Sequence, residues 1–245
     1  MAVLWAVAGL IVGSFLNLLI YRLPRLEKLA APVRCPYCRV QRPFYSQSAL
    51  LSSLLGTKGK CAVCGAPADK RAVTVEIATG MAFWLLFLRF GVSPRLLMYS
   101  LYTCFLVVVF TIDWQHRLIL NRVTYPGILL SILLTPLLSE IDPPRVLLGL
   151  AVGGVIFGLL YGGGYLLYRQ EVLGLGDVKL AMLLGAMVGF PTIVMALLMG
   201  SLFGAVAAVA MLISRRRSSH DFMPYGTAMC LGAFLTFFID ASYFS

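Results

Sequence analysis

Reading the chain between its charged residues leaves seven uncharged, mostly apolar runs: 2–21, 77–88, 96–112, 123–139, 146–168, 180–214 and 222–239. A helix that crosses a bilayer needs about 20 such residues, with about 17 tolerable at the short end. Most runs meet that directly. The 77–88 run is short, but the apolar stretch from Val73 to Phe90 is interrupted only by Glu76 and Arg89, so a helix is expected there too. The 180–214 run is too long for one helix. Its Gly189-Phe190-Pro191 break is turn chemistry and divides it into a short helix and a longer one. The pattern predicts an all-α polytopic membrane protein with about eight transmembrane helices.

Composition agrees. The 245 residues are 60% apolar and 12% charged, with a mean hydropathy of +0.90. Soluble chains carry about 25% charged residues. A disordered protein, a soluble enzyme and a secreted disulfide scaffold are all excluded on that ground.

The net charge of +10 raises the question of a nucleic-acid partner, and its distribution answers it. With the N-terminus outside, the inner segments are 21–73, 113–122, 169–179 and 214–220, and they hold 17 of the 20 Lys and Arg residues. Only Arg89, Arg95 and Arg145 fall outside. Were 180–214 a single span, Arg215, Arg216 and Arg217 would land on the wrong side. Eight spans with both termini outside satisfy the positive-inside rule. The basic residues then mark a rim against membrane lipid, and no nucleic acid is called for. The first run has its positive flank after it, at Arg22, Arg25 and Lys28, so it is expected to be a retained anchor and not a cleaved signal peptide. The organisation expected is a first helix at 1–21, a cytoplasmic loop at 22–72 and a seven-helix membrane domain at 73–245. In the fifth span, Gly154, Gly158 and Gly162 recur every four residues, a small-residue stripe expected to pack closely on a neighbouring helix.

The loop at 22–72 holds Cys35-Pro-Tyr-Cys38 and Cys61-Ala-Val-Cys64. Two C-x-x-C knuckles supply four thiolates to one tetrahedral zinc. The 22 residues between them slightly exceed the common separation of about 15–20, which costs little loop entropy. Four unligated thiols or a redox couple are the alternatives, and the reducing side of the membrane disfavours a disulfide. The loop has few large apolar groups, so a structural metal would serve as its staple. Cys104 and Cys230 lie within spans and read as ordinary buried thiols.

Of ten acidic residues, seven fall in loops or turns, and three are harder to dismiss: Glu76, Asp113 and Asp177. Asp113 ends the third span and Asp177 begins the sixth, 64 residues later, so both are expected at one depth near the cytoplasmic face. Ionisable groups at the edge of apolar spans are functional candidates. Two carboxylates held together share a proton, so one acts as base on a water while the other donates to a scissile carbonyl oxygen. Gly174 and Gly176 would let backbone, water and an extended substrate approach Asp177. Structural roles compete: Asp113 could pair with Arg117 at i+4, and Asp177 could cap its helix. Spacing alone leaves both open.

Four motifs then converge. Gly13-Ser14-Phe15-Leu16-Asn17 with Tyr21-Arg22-Leu23-Pro24, the two cysteine knuckles, Ile112-Asp113, and Gly174-Leu175-Gly176-Asp177-Val178-Lys179 stand in the order and spacing of the prepilin peptidases, the type IV leader peptidases. The chain resembles that family over essentially its whole length. The resemblance implies an eight-span bacterial inner-membrane aspartic protease of the Gly-x-Gly-Asp type, with Asp113 and Asp177 as the catalytic pair. It implies a substrate, the prepilins or type II secretion pseudopilins, whose short basic leader is cut after a glycine at the cytoplasmic face. It also implies methylation of the new N-terminus with S-adenosyl-L-methionine, an activity associated with the loop that carries Cys35, Cys38, Cys61 and Cys64. Glu76 resembles the Val-Glu at the start of the family's second span, which implies a place in the methyltransferase site.

Three stretches depart from the family pattern. Ile119-Leu120-Asn121 lacks the usual Ile-Pro, and Pro224-Tyr225-Gly226-Thr227 stands where Pro-Phe-Gly-Pro is usual. Both are read as adjustments of backbone geometry. The stretch from Val40 to Leu54 lacks the His and Asp often found after the first knuckle, which bears on methylation more than on cleavage. A competing class is a zinc-knuckle membrane scaffold or a proton-coupled transporter using the same acids. Transporters commonly show repeats and midplane sites, whereas here no repeat is visible and the acids lie at one face.

Overall fold

The computed structural model describes residues 1–26, 33–34, 38, 40–42, 63–65, 70–139, 141–169, 173–213 and 225–239. These form eight helices: α1 (Ala2–Arg22), α2 (Lys70–Phe90), α3 (Pro94–His116), α4 (Asn121–Leu138), α5 (Pro143–Tyr168), α6 (Leu175–Val188), α7 (Thr192–Ile213) and α8 (Tyr225–Thr236). Between α1 and α2, β1 (Val33–Arg34) pairs antiparallel with β2 (Gln41–Arg42). The helices fall on the eight stretches read from the hydrophobic pattern. Five of them, α1, α2, α3, α5 and α7, are long and apolar enough to cross a membrane. The chain divides into two compact units, Met1–Leu96 and Leu97–Ser245.

In the first unit, α1 lies against α2. Its 21 residues carry no charge before Arg22, which sits in the last turn and complements the negative end of the helix dipole. Close approach comes from small residues: a Cβ on Gly9 would stand 2.9 Å from the Gly80 Cα, and one on Gly13 would stand 2.8 Å from the Glu76 Cα. Trp5 stacks on Phe83 with ring centroids 6.2 Å apart.

In the second unit, α6 is the hub. It packs against α4, α5, α7 and α8. Fourteen residues rise only about 21 Å, short of a hydrocarbon core of about 30 Å. Its residues Leu180, Ala181 and Leu183 to Val188 are nevertheless all buried, so protein and not lipid covers this short helix. Its end is the expected turn: Gly189 takes a positive φ of 69°, the Phe190–Pro191 peptide is cis, and α7 starts at Thr192.

Of the glycines expected to pack, only Gly154 meets α6, and the closest approach in the α5–α6 seam is made at Gly149 and Gly153. A Cβ on Gly149 would fall 2.4 Å from the Gly185 carbonyl oxygen, and one on Gly153 would fall 2.4 Å from that of Ala181. Gly154 faces Met182, whereas Gly158 and Gly162 would meet nothing within 4 Å. One residue turns a helix by about 100°. The stripe that packs therefore begins at Gly149 and Gly153, and the Gly154-Gly158-Gly162 stripe lies next to it on the helix surface.

A buried polar chain ties three helices of this unit together. The Thr135 hydroxyl donates to the Ala186 carbonyl at 3.0 Å, and the Tyr102 hydroxyl lies 2.7 Å from the Thr135 oxygen. Thr135 has one proton, spent on Ala186, so Tyr102 is the donor to Thr135.

Candidate active site

Asp113 is three residues from the end of α3, at the point where the helix stops. Arg117 takes a left-handed φ of 54°, and its N–H closes on the Asp113 carbonyl at 2.8 Å. Ile112 and Asp113 are buried, while Trp114 and His116 are exposed.

The Asp113 side chain meets the start of α8. The first N–H groups of a helix have no partner within it; that of Thr227 donates to Asp113 Oδ2 at 2.9 Å, in a buried bond that spans 114 residues of sequence. Gly226 makes the approach possible. A Cβ there would lie 2.8 Å from Asp113 Oδ2 and 3.1 Å from its Cγ, inside any tolerable contact.

Asp177 is the third residue of α6 and is half-buried. The Gly174 N–H donates to its Oδ2 at 3.2 Å, and its own N–H returns to the Gly174 carbonyl at 3.0 Å. The capping role considered from sequence is therefore real, and it orients the carboxylate at the positive end of α6.

Ile119, in the α3–α4 connection, links the two acids. A Cβ on Gly176 would stand 3.0 Å from the Ile119 Cβ, and one on Gly226 would stand 3.2 Å from its Cδ1. The glycine before Asp177 and the glycine that seats Asp113 Oδ2 lie against one Ile119 side chain. The structure thus brings together the two carboxylates that the sequence singled out. The space at Gly176, expected to admit substrate, is taken by the Ile119 side chain. Gly174 is exposed, and a Cβ there would touch only Asp177 Oδ2, at 3.4 Å, and the Gly176 nitrogen, at 3.8 Å. On the same end of the unit, the Lys179 ammonium donates to Asn121 Oδ1 at 2.9 Å and lies 5.6 Å from the Tyr125 ring centroid. Gly226, Thr227 and Ile119 were missed as site residues. Their only signal was that two of their segments depart from the family pattern.

Glu76 belongs to the other unit and is wholly buried in the α1–α2 seam. Ser14 Oγ donates to its Oε1 at 3.2 Å and the Asn17 amide reaches the same oxygen at 3.5 Å. Asn17 also donates to the Ala72 carbonyl at 2.9 Å. The Gly13-Ser14-Phe15-Leu16-Asn17 segment is thus a clasp around Glu76. Of the cysteine knuckles, Cys38 is half-buried and Cys64 exposed, each at a turn; Cys35 and Cys61 lie outside the described residues. Among the described residues no group of three or more His, Cys, Asp or Glu side chains is gathered as a metal site.

Residues 100–209 match the type IV leader peptidase family, and residues 7–90 match the bacterial peptidase A24 N-terminal domain. The Type 4 prepilin-like proteins leader peptide-processing enzyme of Escherichia coli O78:H11 is 30% identical over 262 residues, covering 98% of this chain and 95% of that protein. The chain belongs to the type IV leader peptidase family. A prepilin leader peptidase/N-methyltransferase of Neisseria gonorrhoeae is 30% identical, over 95% of this chain and 88% of that protein. One of Myxococcus xanthus is 34% identical over 89% of this chain, which spans 65% of that protein's length. No solved structure matches. The two family matches, 7–90 and 100–209, fall one in each compact unit of this multi-pass leader peptidase. The Asp113–Asp177 pair lies wholly within the second match.

Proposed function

We propose that this leader peptidase hydrolyses the leader peptide of prepilins or type II secretion pseudopilins with Asp113 and Asp177 as an aspartic dyad. The observation that carries the reading is the convergence of two carboxylates, one from the end of α3 and one from the start of α6, at one end of a helical unit. The pair shares one proton. The charged carboxylate takes a proton from water as its oxygen adds to the scissile carbonyl carbon, and the protonated one donates to the carbonyl oxygen. The tetrahedral intermediate collapses when the peptide nitrogen receives a proton and the C–N bond breaks. Helix N-termini at α6 and α8, each giving an N–H to one acid, hold the geometry without a metal ligand or a covalent nucleophile.

The membrane arrangement that fits this chemistry has eight spans in a bacterial inner membrane, both termini outside, and both acids at the cytoplasmic edge. The cut then falls after a glycine on the cytoplasmic side. The four cysteines Cys35, Cys38, Cys61 and Cys64 are a donor set suited to one zinc, which would staple the 22–72 loop and take no part in hydrolysis. Methylation of the new N-terminus is supported by relatives named prepilin leader peptidase/N-methyltransferase, and S-adenosyl-L-methionine is the donor we propose for it. Glu76 is the residue assigned to that step. Bound, the donor would supply the methyl group; the chain's own contribution is a carboxylate fixed by Ser14 and Asn17.

The test is cleavage by the protein reconstituted in lipid with a prepilin carrying its leader. Mass analysis of the product is expected to place the cut after glycine. An intact prepilin, with a folded enzyme in the same vesicles, would contradict the reading.

A further inference from the structure

We infer that the backbone N–H of Thr227, at the start of α8, is a positioning group that fixes the Asp113 carboxylate for catalysis. The inference rests on the proposed dyad and goes beyond it, because the group it names is a main-chain N–H. Asp113 is 4% exposed and Thr227 is 3% exposed, so the bond at 2.9 Å is shielded from competing water. A hydrogen bond to a charged group in such a setting is stronger than its exposed equivalent. The bond also joins the end of α3 to the start of α8, two elements with no continuity in sequence. Gly226 is the complement: its missing Cβ is the space in which Asp113 Oδ2 sits. The pair Gly226-Thr227 therefore works as one device, a gap followed by a donor.

A purely structural role predicts something different. If Asp113 only capped α8, losing the bond would lower thermal stability, and turnover would fall only as the folded fraction fell. A positioning role predicts lost turnover in folded protein.

Thr227→Pro deletes the N–H together with the threonine side chain, and proline is accommodated in the first turn of a helix. The expected result is a kcat lower by about 10- to 100-fold per folded enzyme, with KM unchanged, over and above any fall in melting temperature from the lost bond. Thr227→Ala keeps the N–H and is expected to rescue kcat. Gly226→Ala serves as the second variant should Thr227→Pro fold poorly, and is expected to lose kcat in the same way because its methyl displaces the carboxylate. Wild-type kcat in Thr227→Pro, or in a folded Gly226→Ala, would overturn the inference. Equal loss in Thr227→Ala and Thr227→Pro would overturn it too, by moving the effect to the side chain. Asp113→Ala is run alongside: normal cleavage there sinks the dyad itself, whereas a dead Asp113→Ala with a fully active Thr227→Pro sinks only the positioning role.

Discussion

Gly149 of α5 and Gly185 of α6 meet backbone to backbone: a Cβ on Gly185 would fall 2.1 Å from the Gly149 carbonyl oxygen. No side chain fits there, and the obstacle is main chain that cannot rotate away. Gly185→Ala is expected to lower stability by about 1–3 kcal/mol or more through overpacking. Gly158→Ala, where open space awaits the methyl, is expected to gain about 0.5–1 kcal/mol from helix propensity. Thermal melts in detergent check the opposite signs; equal effects from the two variants would contradict the seam.

The Tyr102–Thr135–Ala186 chain makes a second prediction. Thr135→Val keeps the shape and removes both bonds, at an expected cost of about 0.6–2 kcal/mol, the range for buried hydrogen bonds between membrane helices. Tyr102→Phe removes one of the two bonds and is expected to cost less. A double-mutant cycle should find the two substitutions strongly coupled.

Glu76 separates packing from chemistry. Glu76→Ala removes one acceptor from the Ser14 hydroxyl and one from the Asn17 amide, which keep the Leu10 and Ala72 carbonyls, and is expected to destabilise the α1–α2 pair by about 0.5–1.5 kcal/mol for each lost bond. Glu76→Gln keeps an acceptor oxygen and is expected to retain the fold. If Glu76 serves methylation, Glu76→Gln yields cleaved but unmethylated product, read by intact mass. Fully methylated product from Glu76→Gln would remove the carboxylate from that step.

The zinc assignment predicts about one zinc per chain by metal analysis. Cys35→Ser or Cys61→Ser is expected to abolish it, with cleavage retained. A folded loop free of zinc in the wild-type protein would refute it.

Much of the fold was legible because the bilayer enforces it. Spanning helices must be apolar and long, so uncharged runs located α1, α2, α3, α5 and α7; the shorter or less apolar α4, α6 and α8 fell on the remaining runs, and Gly189-Phe190-Pro191 marked the break between α6 and α7. The two acids were legible for the same reason: charge is rare enough in such a chain that Asp113 and Asp177 stood out. What was not legible depends on rotation about helix axes and on long-range contact. Of the expected stripe only Gly154 packs on α6, and the closest packing falls one residue round at Gly149 and Gly153, because every face of α5 is apolar and carries no phase. The use of Gly176 to seat Ile119 could not be read from a motif that includes only one of the two residues. Thr227 looked like a local adjustment of geometry, yet its N–H serves a carboxylate 114 residues away. A backbone donor carries no residue signature.

The central claim is that Asp113 and Asp177 together perform the hydrolysis. The most direct measurement is cleavage of a prepilin by vesicle-reconstituted wild type, Asp113→Asn and Asp177→Asn, with melting temperatures taken on the same preparations. Each asparagine keeps the shape and the hydrogen-bonding oxygen but cannot exchange the proton. Both variants are predicted to melt close to wild type and to lose at least about a hundredfold in kcat. Cleavage at the wild-type rate by either folded variant would contradict the account.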